Sequence, residues 1–492
     1  MTEETLRALY RQGEEPVVAA FLELAARLSV LEQTTRSLEQ TVQSLKEQLA
    51  KDSTNSSKPP SSDGLRKETL QPLPQSLRKK TGRKPGAQPG HIGKTLQLVD
   101  TPDAVILCRP AHCCVCQSDL PATGDVRFTR RQVVEMPKPR AVVTEYRAVI
   151  VRCDCCGAAS AGDFPESVTQ PVQYGANLLG TAAYLHSVHL LPYARCAQIM
   201  QDFTGVSFSP GSLSRALSLA SSRLDDFQDR LKTAVASAPV LHADETGSRV
   251  AGKLGWFHVR CTPTLSYLFR HKRRGGEAVA DLLSYNGRLV SDFYSNYVTL
   301  ACAHTNAPRF VEHQFCGAHL LRELTFVSSV LGEQWAASLS SVIEDMVAAC
   351  HRARERGTAK VWNAPVLARR FDEIVQKGLQ AHPLPPVPPG KTRVARGKVR
   401  CLLDRLVSYR DEYLAFLFDL RLPFTNNEAE RDVRMLKVKG KVSGCFRTEA
   451  GADVFCRLRS YVQTCRKHGR DLLACLRSVF AGQIEMPCFE HA

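Results

Sequence analysis

From Phe21 onward the apolar positions step by alternating threes and fours, through Leu24, Leu28, Leu31, Leu38, Val42, Leu45 and Leu49, with Thr35 as the one polar step. A 3.5-residue repeat with Glu, Gln, Lys and Arg on the other faces keeps one stripe turned to a neighbour, which predicts a coiled coil over residues 1–50. A leucine zipper pairing two copies of the chain is the expectation; an amphipathic helix laid on its own protein leaves the same trace. Past Lys51 the periodicity stops. Residues 51–98 are rich in Ser, Pro, Gly, Lys and Arg and predict a flexible basic linker. Within it Arg83 and Lys84, in a Gly-Arg-Lys-Pro-Gly turn, suit insertion into a narrow DNA minor groove.

Strand-like sequence such as Ala141–Tyr146 then lies between two Cys-x-x-Cys knuckles, at Cys113–Cys116 and Cys153–Cys156. Paired knuckles supply four thiolates for a tetrahedral ion, so residues 99–165 read as a ribbon closed around a structural Zn²⁺ by Cys113, Cys116, Cys153 and Cys156. Cys108, His112, Cys114 and Cys155 stand near enough in sequence to substitute. Residues 166–236 have helical spacing. Ser209 followed by Pro210 marks a helix start. Arg215 is the side chain that a helix-turn-helix would present to DNA there, and plain helix packing fits the pattern equally.

Val240–Gly247 is a short apolar strand that delivers Asp244. Strands near Gly255–Cys261 and Leu265–Arg270 and a helix near Glu277–Ser284 follow, and Arg288–Phe293 is a second apolar strand ending on Asp292. A mixed sheet with its first and fourth strands side by side would bring both carboxylates to one edge. Far downstream Pro423–Arg431 opens a helix, with Thr425 and Glu428 in a capping-box pattern that leaves Glu430 free to face the sheet. Three carboxylates from separate elements suit two Mg²⁺ ions, because hard cations take oxygen ligands and a metal pair stabilises both oxygens of a phosphoryl transfer.

Charge sharpens this picture. Among 492 residues, 65 Lys and Arg against 49 Asp and Glu leave a net charge of +16, which makes a polyanion the first partner to expect. Half of that surplus falls between Arg431 and Arg477, where twelve Lys and Arg meet four Asp and Glu. Arg431, Arg434, Lys437, Lys439 and Lys441 are placed to meet a DNA backbone near the carboxylates. Trp256 and His258 alternate along a strand, either packing or stacking on a displaced base. The N-terminal Met-Thr-Glu-Glu-Thr lacks the basic start and apolar stretch of a signal peptide, and no apolar run approaches membrane length. The expectation is a cytoplasmic protein with no membrane partner and reduced cysteines.

The motifs His242–Thr246, Ser291–Tyr297, Cys316–His319 and Asn426–Arg431 resemble those of the DDE transposases of bacterial insertion sequences, in particular the insertion-sequence sixty-six family. The zipper, the Lys-Asp-Ser linker, the Gly-Arg-Lys-Pro-Gly stretch and the ribbon occur in that family's order, so the resemblance spans nearly the whole chain. It implies a multidomain α+β protein. An RNase H-like α/β core would be split into residues 237–305 and 423–480 by a helical insertion over 306–422, leaving a tail at 481–492. Asp244, Asp292 and Glu430 would be the catalytic Mg²⁺ ligands. Pro383–Gly390 would form an exposed loop in the insertion. Cys316 and His319 resemble a Cys-x-x-His signature near the active site of related transposases, with Arg322 the nearby cation; helix packing is the other reading of the pair. The implied activity is binding of the element's terminal inverted repeats, metal-dependent cleavage, and strand transfer to target DNA. A homodimer or higher oligomer, helper proteins from the same element and a nucleoid location would accompany it. The alternative is a DNA-binding regulator derived from a transposase that has lost catalysis.

Overall fold

The computed structural model describes residues 7–8, 10–50, 90, 96–120, 129–136, 139–302, 312–384 and 396–489. Arg83 and Lys84, with most of the expected linker, lie outside them. The chain divides into two compact units, one of residues 76–165 and 197–208 and the other of the remainder.

Helix α1 (Glu14–Leu49) is continuous, and Phe21, Leu24, Leu28, Leu31, Leu38, Val42, Leu45 and Leu49 along its seam are all exposed. In the smaller unit both knuckles fold alike. The N–H of Cys113 donates to Ser118 O (2.8 Å) and that of Gln117 to Cys113 O (3.0 Å); Cys153 N donates to Ala158 O and Gly157 N to Cys153 O, both at 2.8 Å. The residue after each second cysteine takes positive φ, 56° at Gln117 and 72° at Gly157. The second knuckle turns the hairpin of β1 (Ile150–Arg152) and β2 (Ala159–Ala161). The strand expected near Ala141–Tyr146 does not form. Val142, Val143 and Tyr146 are exposed and no partner strand lies opposite among the described residues.

In the larger unit helices α2 (Ala176–Ser187), α3 (Tyr193–Thr204, which runs on into the smaller unit), α4 (Pro210–Arg223) and α5 (Asp225–Ala236) precede the sheet. Ser209 caps α4 as its sequence predicts, its Oγ accepting the N–H of Ser212 at 3.0 Å. The sheet contains β3 (Val240–Val250), β4 (Lys253–Cys261), β5 (Ser266–His271), β6 (Arg288–Ser291) and β7 (Glu312–Phe315) in the spatial order β5-β4-β3-β6-β7. The first three pair antiparallel; β6 runs parallel to β3, and β7 to β6. Strand β7 falls inside the segment expected to be a helical insertion. Its sequence, Glu-His-Gln-Phe, has one apolar residue and no strand signature, and parallel pairing with β6 fixes it in place.

Helix α6 (Ser295–Cys302) follows β6, and helices begin again at α7 (Gly317–Ser329), α8 (Gln334–Glu355), α9 (Ala364–Ala381), α10 (Lys398–Ser408) and α11 (Arg410–Phe418). Their apolar stripes form a core of their own around Leu339, Met346, Phe371, Leu403 and Phe416, joined to the sheet through Val290 and Phe315. Helix α12 (Asn427–Ser443) packs Ala429, Val433 and Leu436 on Phe257 and Val259 of β4, with Phe455 of α13 (Glu449–Lys467) closing the cluster. Helix α14 (Leu472–Ala481) lies so close to α2 that a Cβ on Gly180 would come 2.8 Å from Arg477 Cα. Among the described residues no helix is long and apolar enough to cross a membrane.

Candidate active site

Parallel pairing sets Val240 opposite Arg288 and His242 opposite Val290. The same offset carried two residues further brings Asp244 level with Asp292, just where β6 ends. Glu430 enters from the first turn of α12, its N–H closing that turn on Asn426 O at 3.1 Å. The three carboxylates sense one another. Burial, then the charges of Asp292, Glu245 and Glu430, raise Asp244 well above the usual carboxylate range, against one N–H bond from Glu245 (2.8 Å). Burial and the Glu245 charge push Asp292 up to about 7, opposed by Arg274 and the N–H of Tyr294. Burial also raises Glu430, opposed by Arg322 and Arg434.

Two carboxylate oxygens here, Asp292 Oδ1 and Glu430 Oε1, are buried without a hydrogen-bond partner. Such oxygens call for a proton or a cation, and a hard divalent ion takes that donor type. The donor set fits Mg²⁺. Glu245, adjacent to Asp244, is by contrast fully engaged: Arg274 donates to its Oε1 from Nε (3.0 Å) and Nη2 (2.9 Å), and Tyr297 Oη donates to Oε2 (2.8 Å).

His319 and Cys316 join this site. The ligand atoms of Cys316, His319 and Glu430 lie within 4.8 Å of one another, and His319 Nδ1 is 3.7 Å from Glu430 Oε1. Burial and Arg322 hold His319 down at about 4, so its ring is neutral. Burial pushes the Cys316 thiol up to about 11, and its sulfur already accepts the N–H of Asn426 at 3.2 Å. Cys316 is thus part of the scaffold behind Glu430. Arg322 Nε turns back to Ala318 O at 3.4 Å.

Several expectations need correction. The Thr425–Glu428 capping box is not formed: α12 starts after Asn426 without a side-chain cap, because Glu428 is drawn to Arg431 and, at 3.9 Å, to Lys467. Lys439 is not available to DNA. It is buried, donates to Gly444 O at 3.0 Å and lies 3.8 Å from the centre of the Phe446 ring. Arg215, Arg431, Arg434, Lys437 and Lys441 are exposed, although Lys437 Nζ also donates to Gly247 O at 2.9 Å. His258 is buried and stacked on Phe269, and Trp256 lies under the Arg274 guanidinium at 5.0 Å, so both pack.

Sequence reasoning missed Arg274, which also lies 3.9 Å from the centre of the Tyr294 ring, and Asn426. The Lys272-Arg273-Arg274 run was the available signal for the first, and the Asn-Asn-Glu-Ala-Glu-Arg motif for the second.

In the smaller unit the donor chemistry fits a thiolate metal. Ser118 and Cys113 hydrogen bonds bring Cys116 down to about 7, and N–H and thiol bonds from Cys156 and Cys155 lower Cys153. His112 is paired with Asp119 at 2.9 Å. Within the described residues the two knuckles do not meet in a common cluster; Cys316, His319 and Glu430 make up the one trio of that kind.

The family described as Transposase IS66 family matches residues 171–454, more than half of the chain, and this protein belongs to it. A family of unknown function, DUF6444, matches residues 10–97. Three uncharacterized proteins of Sinorhizobium fredii are similar. The protein y4hP is 23% identical over 74% of this chain and 77% of its own length; y4jD is 25% identical over 59% and 58%, and y4qI 28% identical over 43% and 38%. Membership of a transposase family makes DNA the substrate class and a divalent metal the expected cofactor.

Proposed function

We propose that this chain cuts and joins the ends of its own insertion sequence, with Asp244, Asp292 and Glu430 holding two Mg²⁺ in an RNase H-like core built on β3–β7 and α12. The observation that carries this reading is the convergence of three carboxylates from separate elements, two with orphaned buried oxygens, in a chain of a transposase family. The strand order, with Asp244 on the central strand and Asp292 at the end of its parallel neighbour, supports the core assignment. Bound Mg²⁺ supplies positive charge to the attacking and leaving oxygens of phosphoryl transfer. The side chains supply position: three carboxylates fixed on a sheet and a helix leave little for a protein general base to do. Neutral His319 stands where it can donate a hydrogen bond to a phosphate oxygen.

The remaining assignments belong to the same proposal. Arg215, Arg431, Arg434, Lys437 and Lys441 contact DNA backbone, and Arg83 and Lys84 enter a minor groove. Cys113, Cys116, Cys153 and Cys156 hold a structural Zn²⁺, and the ribbon with the helices of 166–236 reads the terminal repeats. The exposed seam of α1 pairs two copies so that both ends are handled together. Element-encoded helpers assist in the cytoplasm, at the nucleoid.

The test is joining of element ends to target DNA in cells supplying those helpers, with expression and end binding matched. Asp244→Asn, Asp292→Asn and Glu430→Gln are each expected to abolish joining while binding ends. Full joining by any one of them overturns that assignment. Wild-type protein that binds ends and never joins them would instead be the inactive regulator.

A further inference from the structure

Asn426 bonds directly to the elements that carry Asp244 and Glu430 and reaches the one that carries Asp292 through Cys316. Its side-chain Nδ2 donates to Ala243 O at 2.8 Å, one residue before Asp244. Its Oδ1 meets His242 Nδ1 at 2.9 Å. Because Nδ2 is committed to a carbonyl, the bond from His242 needs the proton on Nδ1. Its own carbonyl accepts the N–H of Glu430 at 3.1 Å. Its N–H donates to Cys316 Sγ at 3.2 Å, and the N–H of Cys316 donates in turn to Ser291 O at 2.8 Å, one residue before Asp292. Gly317, next in line, donates its N–H to Phe424 O at 2.9 Å, and a Cβ there would collide with the Phe424 ring at 2.0 Å. The loop 424–426 is therefore clamped between the start of α7 and the edge of β3. Asn426 is 1% exposed, so these bonds are made without competition from water.

An ordinary helix N-cap turns its side chain onto the free N–H groups of its own first turn. Asn426 makes no such bond and spends both ends of its amide on β3. A residue placed only to start α12 would cap it. Resting on the reading of Asp244, Asp292 and Glu430 as metal ligands, we propose that Asn426, with His242 and Cys316 behind it, is the positioning residue that sets the spacing of the three carboxylates for metal binding.

Supporting groups of this kind change metal affinity about 10–100-fold when removed. The test is Mn²⁺ binding to the full-length protein by electron paramagnetic resonance, which needs no turnover, alongside melting in EDTA. Asn426→Ala is expected to weaken Mn²⁺ binding by about tenfold or more. Asn426→Asp, which keeps an acceptor for His242 and loses the donor to Ala243 O, covers the case in which the alanine variant does not fold, and is expected to weaken binding too. His242→Ala combined with Asn426→Ala is expected to cost little more than Asn426→Ala alone, since both act through one bond. Asp292→Asn is the control. If it loses Mn²⁺ binding while the folded Asn426 variants bind like wild type, the positioning role is overturned and the ligand assignment stands. If Asp292→Asn binds like wild type, it is the ligand assignment that fails.

Discussion

Nδ1 of His319 lies 3.7 Å from Oε1 of Glu430, and neither atom has a hydrogen-bond partner. The ring is neutral at neutral pH and brings no counter-charge to the carboxylates beside it. Without a divalent ion the site must bear its own repulsion. A carboxyl whose pKa rises on folding holds its proton more tightly in the folded state, so its contribution to stability is lost as pH rises from the ordinary range towards the folded value. For Asp292 that window runs up to about 7. In EDTA at pH 7.5, Asp292→Asn should melt above wild type by about 2 °C or more, with the gap closing near pH 4. Equal melting curves at pH 7.5 would count against the crowding.

Glu428 and Glu430, two residues apart on α12, separate cleanly. Glu428 pairs with the exposed Arg431 and, at 3.9 Å, with the largely buried Lys467, and Glu430 faces the aspartates. Glu428→Gln should leave end cleavage within about twofold and cost under about 1 kcal/mol of stability, as partly exposed pairs do. Loss of cleavage in Glu428→Gln with retention in Glu430→Gln would reverse the assignment.

The exposed and buried cations predict different salt behaviour. Arg434→Ala and Lys441→Ala should each weaken binding of element ends and reduce the slope of log affinity against log salt by about one. Lys439→Met should leave that slope unchanged, because its ammonium lies against Phe446 in the protein. Titrations at several salt concentrations read both.

The proposed zinc ligands make a further prediction. Serine at Cys113, Cys116, Cys153 or Cys156 should lower bound zinc measured by elemental analysis, while serine at Cys114 or Cys155 should not. Dialysis against a chelator should unfold the hairpin of β1 and β2.

Periodicity and motif were enough to read the long α1 helix, the Ser209 cap and the sheet strands through Asp292, because each has a local signal. Strand β7 was not legible, since its polar four residues owe their conformation to pairing with β6. The same holds for Asn426 and Lys439. From sequence the first looks like a turn residue and the second like a surface cation, and only the packing of α12 on β3 and Phe446 decides otherwise. Asp292 and Glu430 were legible as a strand end and a helix start, whereas Asp244, expected at a strand end, lies within β3, which runs on to Val250; their common site depends on a register that no local pattern encodes.

Direct metal ligation by Asp292 is the central claim, and exchanging its carboxylate for a thiol tests it. A thiolate is a poor ligand for Mg²⁺ and a better one for softer Mn²⁺. Asp292→Cys should bind element ends normally, fail to cleave them in Mg²⁺, and recover cleavage in Mn²⁺ well beyond Asp292→Ala. Wild-type cleavage by Asp292→Cys in Mg²⁺, or no gain over Asp292→Ala in Mn²⁺, would contradict it.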